Sequence, residues 1–512
     1  MDNNDILKKI ISHSKANGFI YQSSEIYDGL SAVYDYGPYG SELKNNLKEF
    51  WWKSMTQVND NIVGIDSSVF MDPMTWKASG HIDAFNDPLI DNKDSKKRYR
   101  ADVLIEDFIS KINSKIEKEV KKASKRFGDK FDEKIFRETN ERVLKYSSQS
   151  EEVSSKMNSF LKLNDLKGLK NLINTLNIND PISGTSNWTD VKQFNLMFST
   201  EIGASSDSSK KIYLRPETAQ GIFLNFLNVL NSTRVKIPFG IAQIGKAFRN
   251  EIIARQFIFR MREFEQMEMQ FFVEPGTEME WYERWKEKRM NWHYALGLGK
   301  DSYKFHDHEN LAHYANAACD IEFNFPMGFK ELEGIHSRTD FDLKNHQEFS
   351  GKKLNYFDQK SGSSYIPYVV ETSIGLDRLF LSIMSSALKT EKLDDGSERT
   401  VLKIPFELSP IKVAVVPLND KDGLSEKAIK IYDDLKLNFN TQYDYKDSIG
   451  KRYRRQDSIG TPFCVTVDYD TLKDNSVTIR DRDSMKQERI PIQNLQTHIT
   501  KFTSINNLLR KI

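Results

Sequence analysis

The stretch AFRNEIIARQFIFRMREFEQMEMQFF, residues 247–272, constrains the fold more than any other. It has the aromatic and aliphatic content of a buried strand, yet it carries four arginines and four glutamates. A buried charge without a partner is costly, so these groups must face one another, a ligand, or solvent in a cleft. The segment reads as two antiparallel strands joined by the loop IIARQFIFRMR. In the first strand Arg249 and Glu251 are two residues apart and share a face. In the second, Phe264, Gln266, Glu268 and Gln270 share a face, while Met267, Met269 and Phe271 point the other way. The methionine face is an apolar packing surface. The other is a platform of one ring and several hydrogen-bonding groups, a floor for a polar ligand. Arginine suits phosphate or carboxylate, and the phenyl ring offers a stacking plane. A cross-strand salt-bridge lattice on an open sheet face is the alternative.

The chain, at 512 residues, is too long for one hydrophobic core, so two or three domains are expected. SELKNNLKEFWWKSMTQ (41–57) has helical periodicity, with Leu43, Leu47, Phe50, Trp51 and Met55 on one face. Residues 101–180 are rich in Lys and Glu and poor in Gly and Pro. They read as a charged helical insertion, either a solvated appendage or an RNA contact. Residues 181–404 return to strand-rich sequence and close on the polar stretch KTEKLDDGSERTVLKIP, with the main boundary near Pro405. Residues 405–512 read as an α/β unit. IKVAVVPL is a buried strand of the parallel kind, Ser425 is the N-cap of the next helix, and another helix spans 448–459 and stops at Gly460.

Composition removes several function classes. A formal net charge of +1 excludes wholesale electrostatic attraction to nucleic acid. Lys451, Arg452, Arg454 and Arg455, with Arg480 and Arg482, form either a local RNA-facing patch or a solvated charged face. The two cysteines, Cys319 and Cys464, support neither a disulfide framework nor a cysteine metal site. No run approaches the roughly 18 apolar residues of a membrane span, and the N-terminus lacks the apolar core of a signal peptide. A reducing, cytosolic setting is expected.

Three ordered segments then resemble the motifs of class II aminoacyl-tRNA synthetases. YDYGPYGSELKNNLKEFWWKSM occupies the place of motif 1, FRNEI…RMREFEQMEMQFF is similar to motif 2, and VVETSIGLDRLFL is similar to motif 3. LRPETAQGIFLNF and HSRTDFDL narrow the resemblance to the glycyl-tRNA synthetase family of the α2 type, and TPFCVTVDYDTLKDNSVTIRDRDSMKQERI resembles its anticodon-binding domain. The resemblance implies an α+β fold. An antiparallel-sheet catalytic domain spans residues 1–100 and 181–404, the insertion 101–180 interrupts it, and an α/β anticodon-binding domain covers 405–512. It implies activation of glycine with ATP and Mg²⁺, transfer of the glycyl group to the 3′ end of tRNA(Gly), and a homodimer.

By the same resemblance Arg249 bridges the α-phosphate and the amino-acid carboxylate. Glu251 accepts from the adenine amino group, Phe264 stacks on the adenine, and Arg378 clamps the γ-phosphate from the opposite side. Asn250, Phe259, Arg260 and Arg262 of motif 2 and Gly375, Leu376 and Asp377 of motif 3 border the nucleotide. Glu331 helps hold Mg²⁺, with Leu332 nearby. Glycine falls to Arg100, Glu217, Phe264, Gln266, Glu268, Arg338, Glu371 and Ser373, whose carboxylates suit an ammonium. Many bacterial relatives have paired cysteines just before the RAD arginine; this chain has Asn92 and Ser95 there, so no zinc is expected. His306, His308 and His313 lack a supporting ligand pattern.

Overall fold

The charged segment lies in a seven-stranded sheet. In chain order its strands are β1 (Ile62–Gly64), β2 (Phe239–Phe248), β3 (Glu263–Val273), β4 (Tyr303–Asp307), β5 (Ala317–Phe325), β6 (Gly328–Thr339) and β7 (Tyr368–Gly375). Their spatial order is β4-β5-β6-β7-β3-β2-β1, antiparallel throughout except for β1, which runs parallel to β2. This is a computed structural model, and it describes residues 3–203, 209–252, 256–308, 311, 314–393 and 395–512.

The alternation read in β3 holds. Met267, Met269 and Phe271 are buried against helices α1 (Pro38–Thr56), α2 (Glu278–Ala295) and α3 (Leu376–Ala387) in one apolar core. Helix α1 opens with Pro38 at its first position, where the missing N–H costs nothing. It buries the expected stripe of Leu43, Leu47, Phe50, Trp51 and Met55. Each such side chain contributes about 1.5–3 kcal/mol on leaving water, and Phe50 stacks on Trp292 of α2 at 4.9 Å.

The first strand of the charged pair is shorter than its sequence suggests. β2 stops at Phe248. The Arg249 N–H still donates to the Arg262 carbonyl at 2.9 Å, but the Asn250 N–H turns to the Leu196 carbonyl at 2.7 Å. Arg249 and Glu251 therefore do not share a strand face, because the chain leaves the sheet between them.

Two compact units emerge. The first comprises Met1–Ser79, Phe198–Arg249 and Ala254–Ile512; the second comprises Gly80–Met197 with Asn250–Ile253. The second is wider than the helical stretch 101–180, since its helices grow out of a three-stranded sheet of Arg98–Arg100, Asn86–Asp91 and Lys192–Asn195. Helices Ala101–Phe127, Glu141–Lys162 and Leu166–Thr175 pack through Leu104, Ile105, Val153, Met157, Leu169 and Ile173. Asn140 and Asp165 cap the second and third with side-chain oxygens. In the same unit Asn92 is buried, and its Oδ1 accepts from the N–H groups of Asp94 and Ser95 at 3.0 and 3.1 Å.

Within the first unit, the C-terminal segment forms a five-stranded sheet ordered Thr441–Tyr443, Val413–Pro417, Phe463–Val467, Ser476–Asp481 and Gln487–Pro491. The first three strands are parallel and the last two antiparallel. Val413–Pro417 is buried on both faces, as its unbroken apolar run requires. Three local expectations change. The polar stretch before Pro405 is a hairpin, Leu388–Lys392 with Glu398–Leu402, turned at Asp395-Gly396. Ser425 lies inside the helix Leu424–Leu435, which Gly423 precedes, and its hydroxyl donates to Asp420. The arginines of the supposed basic patch are largely internal. Arg480 is paired with the buried Asp457 at 2.8 and 3.0 Å; Arg482 donates to the carbonyls of Gly460 and Ile404; Arg452 donates to those of Asp447 and Pro417. Arg455 is exposed but tied to Asp444 and Asp447, Arg454 is half-buried, and Lys451 is exposed with its ammonium 3.8 Å from Asp447. Among the described residues, no helix is long and apolar enough to cross a membrane.

Candidate active site

The face of the central sheet opposite the methionines carries the acidic groups. On β3 and β7 the register sets Glu268 opposite Ser373 and Gln270 opposite Glu371, and on β6 it sets His336 opposite Glu371. Directly opposed residues share a face, so the pairing brings together residues about a hundred positions apart. Gly245, opposite Gln266 on β2, is required by close approach: a Cβ there would lie 2.1 Å from the Arg215 guanidinium. That guanidinium crosses the strand and donates to the carbonyls of Lys246 and Ser67, each at 2.7 Å.

Glu268 is buried at 3% exposure. Its Oε2 accepts from the N–H of Thr218 at 3.0 Å and from the Thr218 hydroxyl; its Oε1 accepts from the Ser373 hydroxyl at 2.6 Å and from the Gln266 amide at 3.3 Å. Burial, then the nearby charges of Glu371 and Glu217, push its carboxyl up to about 7 against the hold of the two hydroxyls. Glu371 goes the other way. Burial alone would raise it, but the Arg338 guanidinium at 3.1 Å and His336 at 3.0 Å hold it far below the usual range. Arg338 also forks onto Asp342 at 2.8 and 3.0 Å beneath the Tyr314 ring, 4.1 Å away. Gln220 donates to both Asp342 and Glu217. The amide oxygens of Gln266 and Gln270 are buried with no donor on them among the described residues. The pocket thus concentrates carboxylates and unused acceptors, an arrangement that suits a small cation.

Beside it lies an aromatic and cationic strip. The Arg249 guanidinium is 5.2 Å from the centre of the Phe264 ring and donates to the Pro216 carbonyl at 3.0 Å. Arg378, in the first turn of α3, pairs with Glu331 at 2.9 Å and covers Phe259 at 4.5 Å. Arg378, then Arg249, lower the Glu331 carboxyl.

Other sequence-derived candidates are placed differently. The side chains of Leu332 and Leu376 belong to the apolar core, so only their backbone can border a ligand. Asp377 turns its carboxylate away from the strip, accepting from the Tyr36 hydroxyl and from the Glu265 N–H at 2.8 Å. Phe259 is buried under Arg378, Arg260 is half-buried on the loop, and Arg262 donates to the Ser31 carbonyl at 3.1 Å. Arg100, Asn250 and Glu251 belong to the second unit. There Arg100 pairs with Asp87 at 3.1 Å and Asp102 at 2.6 Å, and the Glu251 charge helps raise it. His308 pairs with Asp320 at 2.9 Å, and His313 lies outside the described residues. Among the described residues no three His, Cys, Asp or Glu side chains group as a ready metal site.

The sequence reading missed Thr218, Gln220, His336 and Asp342. Thr218 directly follows Glu217, and His336 is two before Arg338 on one strand, so spacing could have flagged both. Gln220 and Asp342 reach the pocket from separate helices, which no local pattern reveals.

Known families match in three consecutive blocks. Residues 87–196 match the glycyl-tRNA synthetase insertion domain 1, residues 198–387 the tRNA synthetase class II core domain (G, H, P, S and T), and residues 412–502 the anticodon binding domain. A glycine–tRNA ligase of Chlorobaculum tepidum is 50% identical over 485 residues, covering 94% of this chain and 97% of that protein. One from Treponema denticola is 47% identical over 511 residues, covering 98% of each. Among solved structures, a prolyl-tRNA synthetase from Cryptosporidium parvum, complexed with L-proline and AMP, shares the fold. Its TM-score is 0.54 at 13% identity, over 98% of this chain and 76% of that one.

Proposed function

The chain belongs to the glycine–tRNA ligase family, and on that footing we propose that the sheet face around Phe264, Glu268 and Arg378 is where glycine and ATP are joined. The enzyme charges tRNA with glycine. In the first step the glycine carboxylate displaces pyrophosphate from the α-phosphorus of ATP; in the second the glycyl group passes to the 3′-terminal adenosine of tRNA(Gly). The nucleophile is ionised at neutral pH, so no general base is needed. Alignment and positive charge must supply the rate.

The convergence of Glu217, Glu268 and Glu371 on one small pocket carries this reading. Three carboxylates with Arg338 as their strong cation leave negative charge to be met, and the glycine ammonium meets it. The ammonium also takes the open acceptors of Gln266 and Gln270. Glycine is chosen by the lack of room for a Cβ, a rejection by clash that needs no editing site. Phe264 supports the adenine and Arg249 reaches the α-phosphate and the glycine carboxylate. Arg378 meets the γ-phosphate, exchanging Glu331 for it. The Glu331 carboxylate is half-exposed and suits Mg²⁺ that arrives on the nucleotide, since that ion prefers one or two carboxylates plus phosphate oxygens. The ion supplies charge neutralisation on the phosphates. The protein works in the cytoplasm as a homodimer, joined through the motif 1 helix α1 and edge strand β1. The exposed Ile26 and Tyr27 just before that helix fit such an interface.

Glycine-dependent exchange of pyrophosphate into ATP tests the reading. Exchange is expected with glycine and absent with alanine or serine, and Arg249→Ala abolishes it in a folded protein. A flat trace with glycine, or wild-type exchange in the variant, refutes the assignment.

A further inference from the structure

We propose that Lys44 is a positioning residue for ATP: its ammonium fixes the spacing of Phe264 and Arg378, the two jaws of the nucleotide clamp, one assigned to the adenine and the other to the γ-phosphate. The proposal rests on the nucleotide reading above and deepens it.

Lys44 follows Leu43 on the buried side of α1 and is only 9% exposed. An ammonium there is tolerable only if well paired. It is paired twice, to Glu265 Oε2 at 2.6 Å and to Asp377 Oδ1 at 3.1 Å, and it lies 4.0 Å from the centre of the Tyr36 ring. Each carboxylate adjoins one jaw. Glu265 follows Phe264 in β3, and successive strand residues point to opposite faces; pinning Glu265 below sets Phe264 above. Asp377 precedes Arg378 in the first turn of α3. Its Oδ2 accepts the Glu265 N–H at 2.8 Å, and its Oδ1 also accepts the Tyr36 hydroxyl. Helix α1 thereby grips strand and helix at the two points from which the clamp rises. Lys48, one turn on, supplies a built-in contrast: it reaches Glu265 at 3.4 Å and does not join the Asp377 pairing.

The experiment is glycine-dependent pyrophosphate exchange on the full-length protein, with KM for ATP and for glycine measured separately. Lys44→Met is expected to raise KM for ATP about tenfold while KM for glycine moves only about twofold, because both jaws hold the nucleotide whereas only Phe264 also borders glycine. Lys44→Arg restores most of the loss, and Lys48→Met moves neither constant. Equal shifts in both constants, or none, overturn the proposal. Should Lys44→Met fail to fold, Tyr36→Phe removes one donor to Asp377 without stranding a charge. It is expected to raise KM for ATP by about threefold, and an unchanged value is equally fatal. Arg378→Ala separates the two levels of inference. If it leaves KM for ATP unmoved, the nucleotide reading falls as well; if it raises KM for ATP and Lys44→Met does not, only the role of Lys44 falls.

Discussion

Glycine binding should expel a proton. In the empty pocket burial, Glu371 and Glu217 bring the Glu268 carboxyl to about 7. Glycine enters as an ammonium, which favours the ionised form, so the protonated pocket must release its proton first. The competent fraction is about one-half at pH 7 and about one-tenth at pH 6, so apparent KM for glycine climbs about tenfold from its plateau near pH 8 down to pH 6. The assay is pyrophosphate exchange at saturating ATP across that range. Glu268→Gln mimics the protonated state at every pH, so its glycine KM starts high and loses the slope. A wild-type KM constant from pH 6 to 8, or an unchanged slope in Glu268→Gln, would refute the reasoning. Stability follows with its own sign. A folded-state value above the ordinary 4.5 contributes stability that is complete below pH 4.5 and is lost as pH rises through about 7. By pH 8 the empty protein has forfeited about 3 kcal/mol at this group. Glycine offsets that loss, so the glycine-induced rise in Tm should be larger at pH 8 than at pH 6.

Three further outcomes are expected. Arg289 and His293 of α2 meet Glu333 at 2.5 and 2.7 Å with all three buried; Arg289→Met strands the carboxylate and should cost about 3–5 kcal/mol in urea unfolding. Leu47→Ala in the buried stripe of α1 should cost about 2–5 kcal/mol, read as a lower Tm with exchange retained below it. Arg480→Ala leaves Asp457 with less positive charge inside the C-terminal sheet; tRNA charging should fall several-fold while exchange, which needs no tRNA, is unchanged.

Periodicity was legible and partnership was not. The stripe Leu43, Leu47, Phe50, Trp51 and Met55 and the two faces of β3 follow from 3.6- and 2-residue repeats, which a single segment carries in full. The acids Glu268 and Glu371 could be named from motifs, but their opposite titration depends on which cation folds beside each. Arg338 and His336 flank one; two hydroxyls, a backbone N–H and an amide serve the other, all of them uncharged. The same limit explains the C-terminal arginines. Arg452, Arg480 and Arg482 read as a surface patch because charge is normally exposed, whereas backbone carbonyls, the buried Asp457 and Asp483 absorb them. Asp377 adjoins Arg378 in sequence, yet it serves Tyr36, Lys44 and Glu265, all from elsewhere in the chain.

One departure from strict alternation shapes the site itself. Glu331 and Glu333 are two residues apart on β6 and would share a face in a regular strand. They do not: Glu331 meets Arg378 on the ligand side, and Glu333 meets Arg289 of α2 on the core side. The pairing with β5 accounts for this. Ile321 opposes Glu333 and Glu322 opposes Glu331, so the extra residue, Leu332, forms a bulge. A bulge inserts one residue and re-aims the side chains beyond it. Here it turns one carboxylate toward Arg378 while leaving the next in an internal ion pair that anchors the strand to α2. Leu332, fully buried, fills the space between them. The carboxylate assigned to Mg²⁺ owes its direction to a register shift that neither its spacing nor its neighbours in sequence could disclose.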